Sequence, residues 1–420
     1  MSADSIHRSE DASGAPLWTS RQKVIVALAA IAIIFDGLDN QILGYATPSL
    51  IAEWQVTKAE MAPVSAAGLV GMAFGAILAG AMGDRFGRRT MLLVSMFVFG
   101  MMTMLAGFAD NMVGLGAARF AAGLGLGGAL PNATAYAAEF SPMRQRPLAI
   151  TLTIVCVPLG GLIAGILARY LLPISLGAYP GWRILFMIAG AGPVLASLLL
   201  LRFLPESPLF NPPENGTKVR DLLTPELRRD TISLWIAMFA CLMAVYTINA
   251  WTPTMLKEAG YTGITATDGL SAFNLGGIAG GCVTAFSIMR YGSRRALLLV
   301  SALAMIATFA AGVSIASKIS PVLIVAALTA IGFAVHGVTT SMFALTSHAY
   351  PDTIRSTGVG AAVGIGRTGA ILSAFVGSAA LSLGGGVAFF GLVFIAMLSV
   401  LVALFLISNH IQAPSSNGNG

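Results

Sequence analysis

Charge is scarce in this chain. Of its 420 residues only 10% are Asp, Glu, Lys or Arg, against about a quarter in soluble globular proteins, which excludes an ordinary water-soluble enzyme or binding domain. Cysteine is nearly absent: Cys156, Cys241 and Cys282 fall inside apolar stretches without C-x-x-C spacing, so neither a disulfide framework nor a metal site is expected. There is no G-x-x-x-x-G-K-[ST] run, so no nucleotide or other cofactor is expected and an ion gradient must supply any free energy. Residues 1–20 are polar and of mixed charge. They contain no apolar core of a signal peptide, and the first apolar helix is expected to direct insertion.

What is abundant is apolar. Fifty-six per cent of the chain is AVILMFWYC, which at about 20 residues per crossing is enough for about twelve membrane spans. The 48 glycines and 19 prolines fit that reading, because helices buried in lipid pack closely through small residues and re-satisfy one another's backbone. Long apolar runs between charged or turn-rich breaks predict helices near 24–46, 60–82, 90–109, 112–139, 148–172, 183–204, 231–251, 267–289, 296–316, 321–349, 356–382 and 387–407. The fold class is therefore an all-α membrane protein of twelve transmembrane helices in two six-helix bundles. The bundles occupy 24–204 and 231–407, flanked by tails 1–23 and 408–420 and separated by a loop, 205–230.

Orientation follows from the basic residues. With both termini inside, 17 Lys and Arg fall on cytoplasmic segments, five (Lys58, Arg169, Arg183, Lys257 and Lys318) on outer ones, and Arg119 and Arg367 within helices. That bias places both termini in the cytoplasm and the chain in the inner cell membrane. It also accounts for the net charge of +6, so nucleic acid is not an expected partner.

The halves repeat one another. GDRFGRR at 83–89 returns as IMRYGSR at 288–294, keeping Arg85/Arg290, Gly87/Gly292, Arg89/Arg294 and an aromatic, with Met289 where the first copy has Asp84. SPMRQRP at 141–147 is echoed by YPDTIRS at 350–356, keeping Pro142/Pro351 and Arg146/Arg355. Parallel repeats of this kind describe a carrier with its site where two bundles meet.

Ionisable residues inside the apolar runs are the candidate site. Helix 1 carries FDGLDNQ, with Asp36 and Asp39 three residues apart on one face. Counting from Val24, Asp36 lies about 18 Å deep, near the bilayer midplane. An ionised carboxylate there costs several kcal/mol unless it is paired or hydrated. Two roles fit: proton carrier, or ion-pair partner of an Arg on another helix. Arg367 lies about 16 Å into helix 11, level with Asp36, and its guanidinium could hold a substrate carboxylate through two parallel bonds or serve as a counter-ion. His336, mid-helix 10, could bind a ring hydroxyl or a proton, or be satisfied by neighbouring backbone. Tyr246 and Asn249, three apart on helix 7, could face the cavity or pack. Glu139 ends helix 4, where it could act or form a surface ion pair. Gly123, Gly125 and Gly128 formally satisfy G-x-G-x-x-G, but no strand precedes them, so helix packing is the better reading than a dinucleotide site.

The loop Gly83, Asp84, Arg85, Gly87, Arg88, Arg89 resembles the signature loop of the major facilitator superfamily. That resemblance implies a charge lock among Asp84, Arg85 and Arg89 between helix ends. A positive-inside loop without further role is the alternative. DGLD on helix 1, GLGGALPNATAYAAE on helix 4, LPESP after helix 6 and GIGRTGA on helix 11 together resemble the aromatic acid:proton symporter family within that superfamily. The resemblance covers nearly the whole chain. It implies that Asp36, Asp39, Arg119, Glu139 and Arg367 are the functional charges, with Asp36, Asp39, Arg119 and Glu139 in proton coupling and Arg367, His336, Tyr246 and Asn249 at the substrate. The expected function is import of a small aromatic carboxylate, of the hydroxybenzoate or hydroxyphenylpropionate type, by a monomer using the proton as coupling ion. A carrier of a non-aromatic organic anion and an efflux antiporter are the rivals. Val157 in VPLGG replaces the first glycine of the superfamily's antiporter motif, which argues against export. A transport-deficient sensor would need an output domain longer than the 13 residues from Ser408.

Overall fold

In the computed structural model, residues 19–141, 146–177, 179–205, 219–318, 320–351 and 354–412 are described. They form α1 (Ser20–Trp54), α2 (Lys58–Phe86), α3 (Arg88–Ala106), α4 (Met112–Glu139), α5 (Arg146–Leu171), α6 (Gly181–Phe203), α7 (Arg228–Glu258), α8 (Gly263–Tyr291), α9 (Ser293–Ala316), α10 (Pro321–Ala349) and α11 (Arg355–Leu406). A short antiparallel hairpin, β1 (Ser175–Leu176) with β2 (Tyr179–Pro180), joins α5 to α6. All eleven helices are long and apolar enough to cross a bilayer, and the protein is a multi-pass membrane protein.

α11 accounts for the twelfth crossing. Its 52 residues would run about 78 Å if straight, far beyond the about 30 Å hydrocarbon core. The helix breaks at Gly384 (φ −148°, ψ 17°) and Gly385 (φ 56°, ψ −144°). The second of these lies in a region that only glycine enters without strain. The arms 355–383 and 386–406 are each long enough for one crossing. A second use of left-handed backbone ties the sequence repeat to structure: Gly87 (φ 89°, ψ 148°) and Gly292 (φ 81°, ψ 158°) make the same turn between α2 and α3 and between α8 and α9.

Packing repeats as well. Within the first half α1 lies on α5, α2 on α4 and α3 on α6; within the second, α7 lies on α11, α8 on α10 and α9 on α11. Across the halves the contacts are α5 with α8, α2 with α11 and α1 with α7. Glycine sets the closeness. A Cβ at Gly71 or Gly75 of α2 would collide with the carbonyls of Phe120 and Leu124 on α4, and one at Gly123 with that of Gly68. Gly125 and Gly128 press on α3 at Phe99 and Ser95, so the glycines of helix 4 are packing surfaces. Large apolar side chains such as Ile77, Leu199, Leu299, Ile306 and Val322 point outward, each more than half exposed. That distribution suits lipid, not water.

Two helices run past their expected ends. α1 continues through Pro48 to Trp54 and α7 through Pro253 to Glu258, where the sequence reading stopped near 46 and 251. A proline lacks one amide hydrogen but leaves the rest of the ladder intact, and membrane helices tolerate that loss when neighbours compensate. Thr47 donates its hydroxyl to the Leu43 carbonyl at 2.7 Å in this stretch. The start of α1, the α2–α3 and α8–α9 turns and the end of α11 share one end of the bundle, the termini end.

Candidate functional site

α1 presents Asp36, Asp39, Asn40 and Gln41 within two turns, and packing sends them in different directions. Asp39 turns into the first half. The Arg119 guanidinium from α4 donates to both its carboxylate oxygens, Nη1 to Oδ1 at 3.2 Å and Nη2 to Oδ2 at 2.9 Å, and Nη2 also reaches its backbone carbonyl at 3.2 Å. The Thr103 hydroxyl from α3 donates to Oδ1 as well. The Phe186 ring lies 5.9 Å from the guanidinium carbon. The side chains of Arg119 and Asp39 are 5% and 2% exposed, so this is a two-bond ion pair almost wholly buried, with the guanidinium Nε left without a partner.

Asp36 is equally buried, at 3%, but its Oδ1 has no hydrogen-bond partner. The positive charge acting on it is Arg367 of α11, in the other half. Arg367 in turn has an unpartnered Nη1, and no direct ion pair joins the two among the described residues. Tyr246 of α7 sits in the field of both charges, against Asn40 and with its hydroxyl 4.0 Å from Met72 Sδ of α2. A small cleft of about 40 Å³ lies beside them between α1 and α2 of one half and α7 and α11 of the other, lined among others by Asn40, Ser65, Met72, Tyr246, Asn249 and Ser373; Asp36 and Arg367 are not among its lining residues. Arg119 also reaches its wall.

The remaining candidates lie apart. His336 does not line the cleft. It packs from α10 onto α8, its ring centroid 4.8 Å from that of Phe273 and its edge over Gly277. Its Nε2 is unpartnered. Glu139, at the termini end of α4, is twenty residues and so about 30 Å along the helix from Arg119. It therefore does not share a site with Asp39. In the loop Gly83–Arg89, the Asp84 side chain lies outside the described residues, as do those of Arg144 and Arg146. Arg85 is exposed over the Phe86 ring. Arg88 approaches Gly83, and Arg89 Nη2 donates to the Leu201 carbonyl of α6 at 2.5 Å. That bond fastens α3 to α6 within the first half.

Opposite the termini end, polar groups tie the halves together. Gln41 Nε2 donates to Asn274 Oδ1 at 2.9 Å while Asn274 Nδ2 donates to Gln41 Oε1 at 2.6 Å, both side chains fully buried. One turn along, the Tyr45 hydroxyl donates to the Gly161 carbonyl at 3.1 Å and lies 3.4 Å from Ser271 Oγ. Beyond them Arg169 pairs with Asp268, and Lys58 with Glu258 at 2.6 Å. Asp268, Ser271 and Asn274 are spaced by three on α8, one face zipped against α1 and α5.

Sequence reasoning missed Asn40, Ser65 and Ser373 in the cleft and Gln41 with Asn274 beside it. Asn40 and Gln41 directly follow Asp39, and polar groups at that depth were a usable signal. A serine among small residues, as at 65 and 373, carries none.

With this geometry in place, the comparisons are specific. The Major Facilitator Superfamily profile matches residues 29–311. The chain is 31% identical over 395 residues to the gallate transporter of Pseudomonas putida, with 86% of each chain covered. It is 32% identical over 401 residues to the 4-hydroxybenzoate transporter PcaK of Acinetobacter baylyi, covering 87% of this chain and 86% of that one. Among solved structures, the D-xylose-proton symporter superimposes with a TM-score of 0.75 at 17% identity, covering 95% of this chain and all of the other. That last likeness is one of fold.

Proposed function

The chain belongs to the Major Facilitator Superfamily, and from that premise we propose that it imports a small aromatic carboxylate, of the hydroxybenzoate or hydroxyphenylpropionate type, together with protons. The observation that carries this reading is the pair of unsatisfied charges facing each other across the seam between the halves: Asp36 with a free carboxylate oxygen and Arg367 with a free Nη1. Arg367 is half-buried, and a guanidinium whose buried Nη1 has no partner is an anion site awaiting its anion; its planar fork suits a carboxylate. The relatives named for gallate and 4-hydroxybenzoate transport supply the substrate class.

The substrate carboxylate reaches toward Arg367, which lies beyond the cleft lining on the Tyr246 side, and its ring enters the cleft among Leu43, Leu69, Met72 and Tyr246. Arrival of the anion withdraws the Arg367 charge from Asp36, and Asp36 then takes the proton that keeps the loaded site neutral enough to cross its occluded state. Asp39, Arg119 and Thr103 hold α1 on α3 and α4, so that Asp36 is presented from a fixed helix. The Lys and Arg bias puts the termini end in the cytoplasm and the protein in the inner membrane. The Gln41–Asn274 face is then the outer seal.

Proteoliposomes loaded at alkaline pH and diluted into acidic medium test this. Radiolabelled 4-hydroxybenzoate, gallate and 3-hydroxyphenylpropionate are offered, and at least one is expected to accumulate only while the pH gradient lasts. Failure to move any of them overturns the substrate class. Equal accumulation without a gradient overturns proton coupling.

A further inference from the structure

We infer that Asn249 reads a hydroxyl group on the substrate ring and makes the carrier prefer hydroxylated aromatic acids over their unsubstituted parents; the inference rests on the cleft being the aromatic-acid site. Asn249 is 7% exposed, lines the cleft, and has an Oδ1 that meets no hydrogen-bond donor. Its helix also carries unpartnered hydroxyls at Thr247, Thr252 and Thr254, but none of these lines the cleft. A buried amide oxygen without a donor is unfavourable in the empty site and becomes favourable when a ligand supplies the donor.

Position selects the kind of donor. α7 runs away from the termini end, so Asn249 lies one turn, about 5 Å, beyond Tyr246, and Tyr246 is in the field of Arg367. Ser373, six residues beyond Arg367 on α11, is about 9 Å farther along, and Ser65 of α2 faces the same end of the cleft. Arg367 does not itself line the cleft, so a carboxylate drawn toward it lies at the Tyr246 end, and the opposite edge of the ring is left toward Asn249 and Ser65. Among the described residues lining the cleft the one charged side chain is Arg119, whose two Nη atoms are engaged by Asp39 while its Nε has no partner, so the group that lacks a donor at that end is Asn249 Oδ1. It suits a phenolic hydroxyl, whose O–H donates to Oδ1 and whose oxygen accepts in return. An ionised second carboxylate has no hydrogen to donate to Oδ1, and a bare ring edge would likewise leave it unsatisfied.

Inhibition of 4-hydroxybenzoate uptake by benzoate and by unlabelled 4-hydroxybenzoate gives the test in proteoliposomes. The unaltered protein is expected to prefer the hydroxylated acid at least tenfold. Asn249→Leu, similar in volume, is expected to bring the ratio near one by weakening the hydroxylated acid, with benzoate binding retained. Should Asn249→Leu bind neither acid, the same ratio is read in Asn249→Ser and is again expected to fall. A preference unchanged in the variant that binds, or no preference in the unaltered protein, overturns the inference and leaves aromatic acid transport standing. If the unaltered protein binds no aromatic acid, the functional reading itself falls.

Discussion

Asp36 and Asp39 stand one turn apart on α1, each almost wholly removed from solvent, and their surroundings differ in kind. Asp39 has a guanidinium on two oxygens and a hydroxyl besides, all from its own half. Asp36 has a free oxygen and a counter-charge that belongs to the other half. A buried carboxylate whose lone pairs are satisfied locally is part of the scaffold, because removing its partner strands a charge in a low dielectric. One whose only counter-charge lies across a moving seam changes its environment as the seam opens. Arg119 and Arg367 differ in a similar way, since both Nη atoms of Arg119 bond to Asp39 although its Nε has no partner, whereas Arg367 Nη1 meets no acceptor; on the proposed function the first pair stays fixed while the second exchanges partners.

The largest expected effect breaks the satisfied side. Arg119→Leu leaves Asp39 buried and unpaired and should cost about 3–5 kcal/mol of stability, read as a lower melting temperature of the purified protein. Adding Asp39→Leu should restore most of it, since two apolar groups can replace a buried pair. If Arg367→Leu destabilises the protein as much as Arg119→Leu does, the two arginines do not differ as argued.

On the unsatisfied side the loss should fall on transport. Arg367→Lys keeps the charge but loses the two-bond fork, and uptake is expected to drop about 10–100-fold, the value of a charged hydrogen bond of about 1.5–3 kcal/mol, with the melting temperature nearly unchanged. Asp36→Asn mimics the protonated carboxyl. It should abolish uphill accumulation yet leave exchange between preloaded vesicles and medium. Accumulation by Asp36→Asn under a pH gradient would move the coupling role elsewhere.

That division could not be read from spacing alone. Residues three apart share a helix face, but they still differ by about 60° around the axis at about 100° per residue. That angle is enough for α4 to claim one aspartate and α11 to face the other. The helices were legible because apolar runs between charged turns have few alternatives in a membrane. The hinge of α11 was legible as a break near 382–387, though not as the φ of Gly385. The repeated glycines at 87 and 292 were visible as a pattern, and their shared backbone conformation supplies the reason. His336 is a candidate from sequence because an imidazole at the middle of a helix can bind a ring hydroxyl or a proton, or be satisfied by neighbouring backbone. Its direction depended on Gly277 of α8 leaving room for the ring, and nothing within α10 encodes that.

A smaller effect is expected at the zipped face. Gln41→Leu removes both bonds to Asn274, which keeps its bond to the Leu270 carbonyl at 2.9 Å. The loss of about 1–2 kcal/mol should shift the balance about tenfold toward the state open at that end. Thiol labelling of Ser271→Cys, in a background with the three native cysteines replaced, should quicken accordingly. Unchanged labelling would mean that the amide pair packs the halves without gating them.

The smallest effect is expected farthest from the seam, where the residues after α11 fold back on the termini end. Asp230 accepts the amide hydrogens of Ser408 and Asn409 at 2.8 and 3.0 Å, and Ser293 exchanges bonds with Ile411. His410 Nε2 lies 3.2 Å from the Leu404 carbonyl, which can only accept, so Nε2 carries the proton. Nδ1, 3.1 Å from Ser293 Oγ, then accepts the serine hydroxyl. Burial holds His410 below the ordinary histidine value, and the charges of Arg294 and His348 act the same way, against the Leu404 carbonyl and Asp230. The released segment therefore binds a proton more readily than the docked one. Docking is at full strength above the ordinary histidine value of about 6.5 and weakens as pH falls below it toward the docked value. Hydrogen exchange at the amides of 408–411, corrected for the intrinsic pH dependence of exchange, should show protection falling between pH 7.5 and 5.5. In His410→Gln, which cannot titrate, the protection should not change with pH. An equal fall in the variant would assign the pH response to another group, and the contrast between fixed and exchangeable charge would then hold only within the membrane.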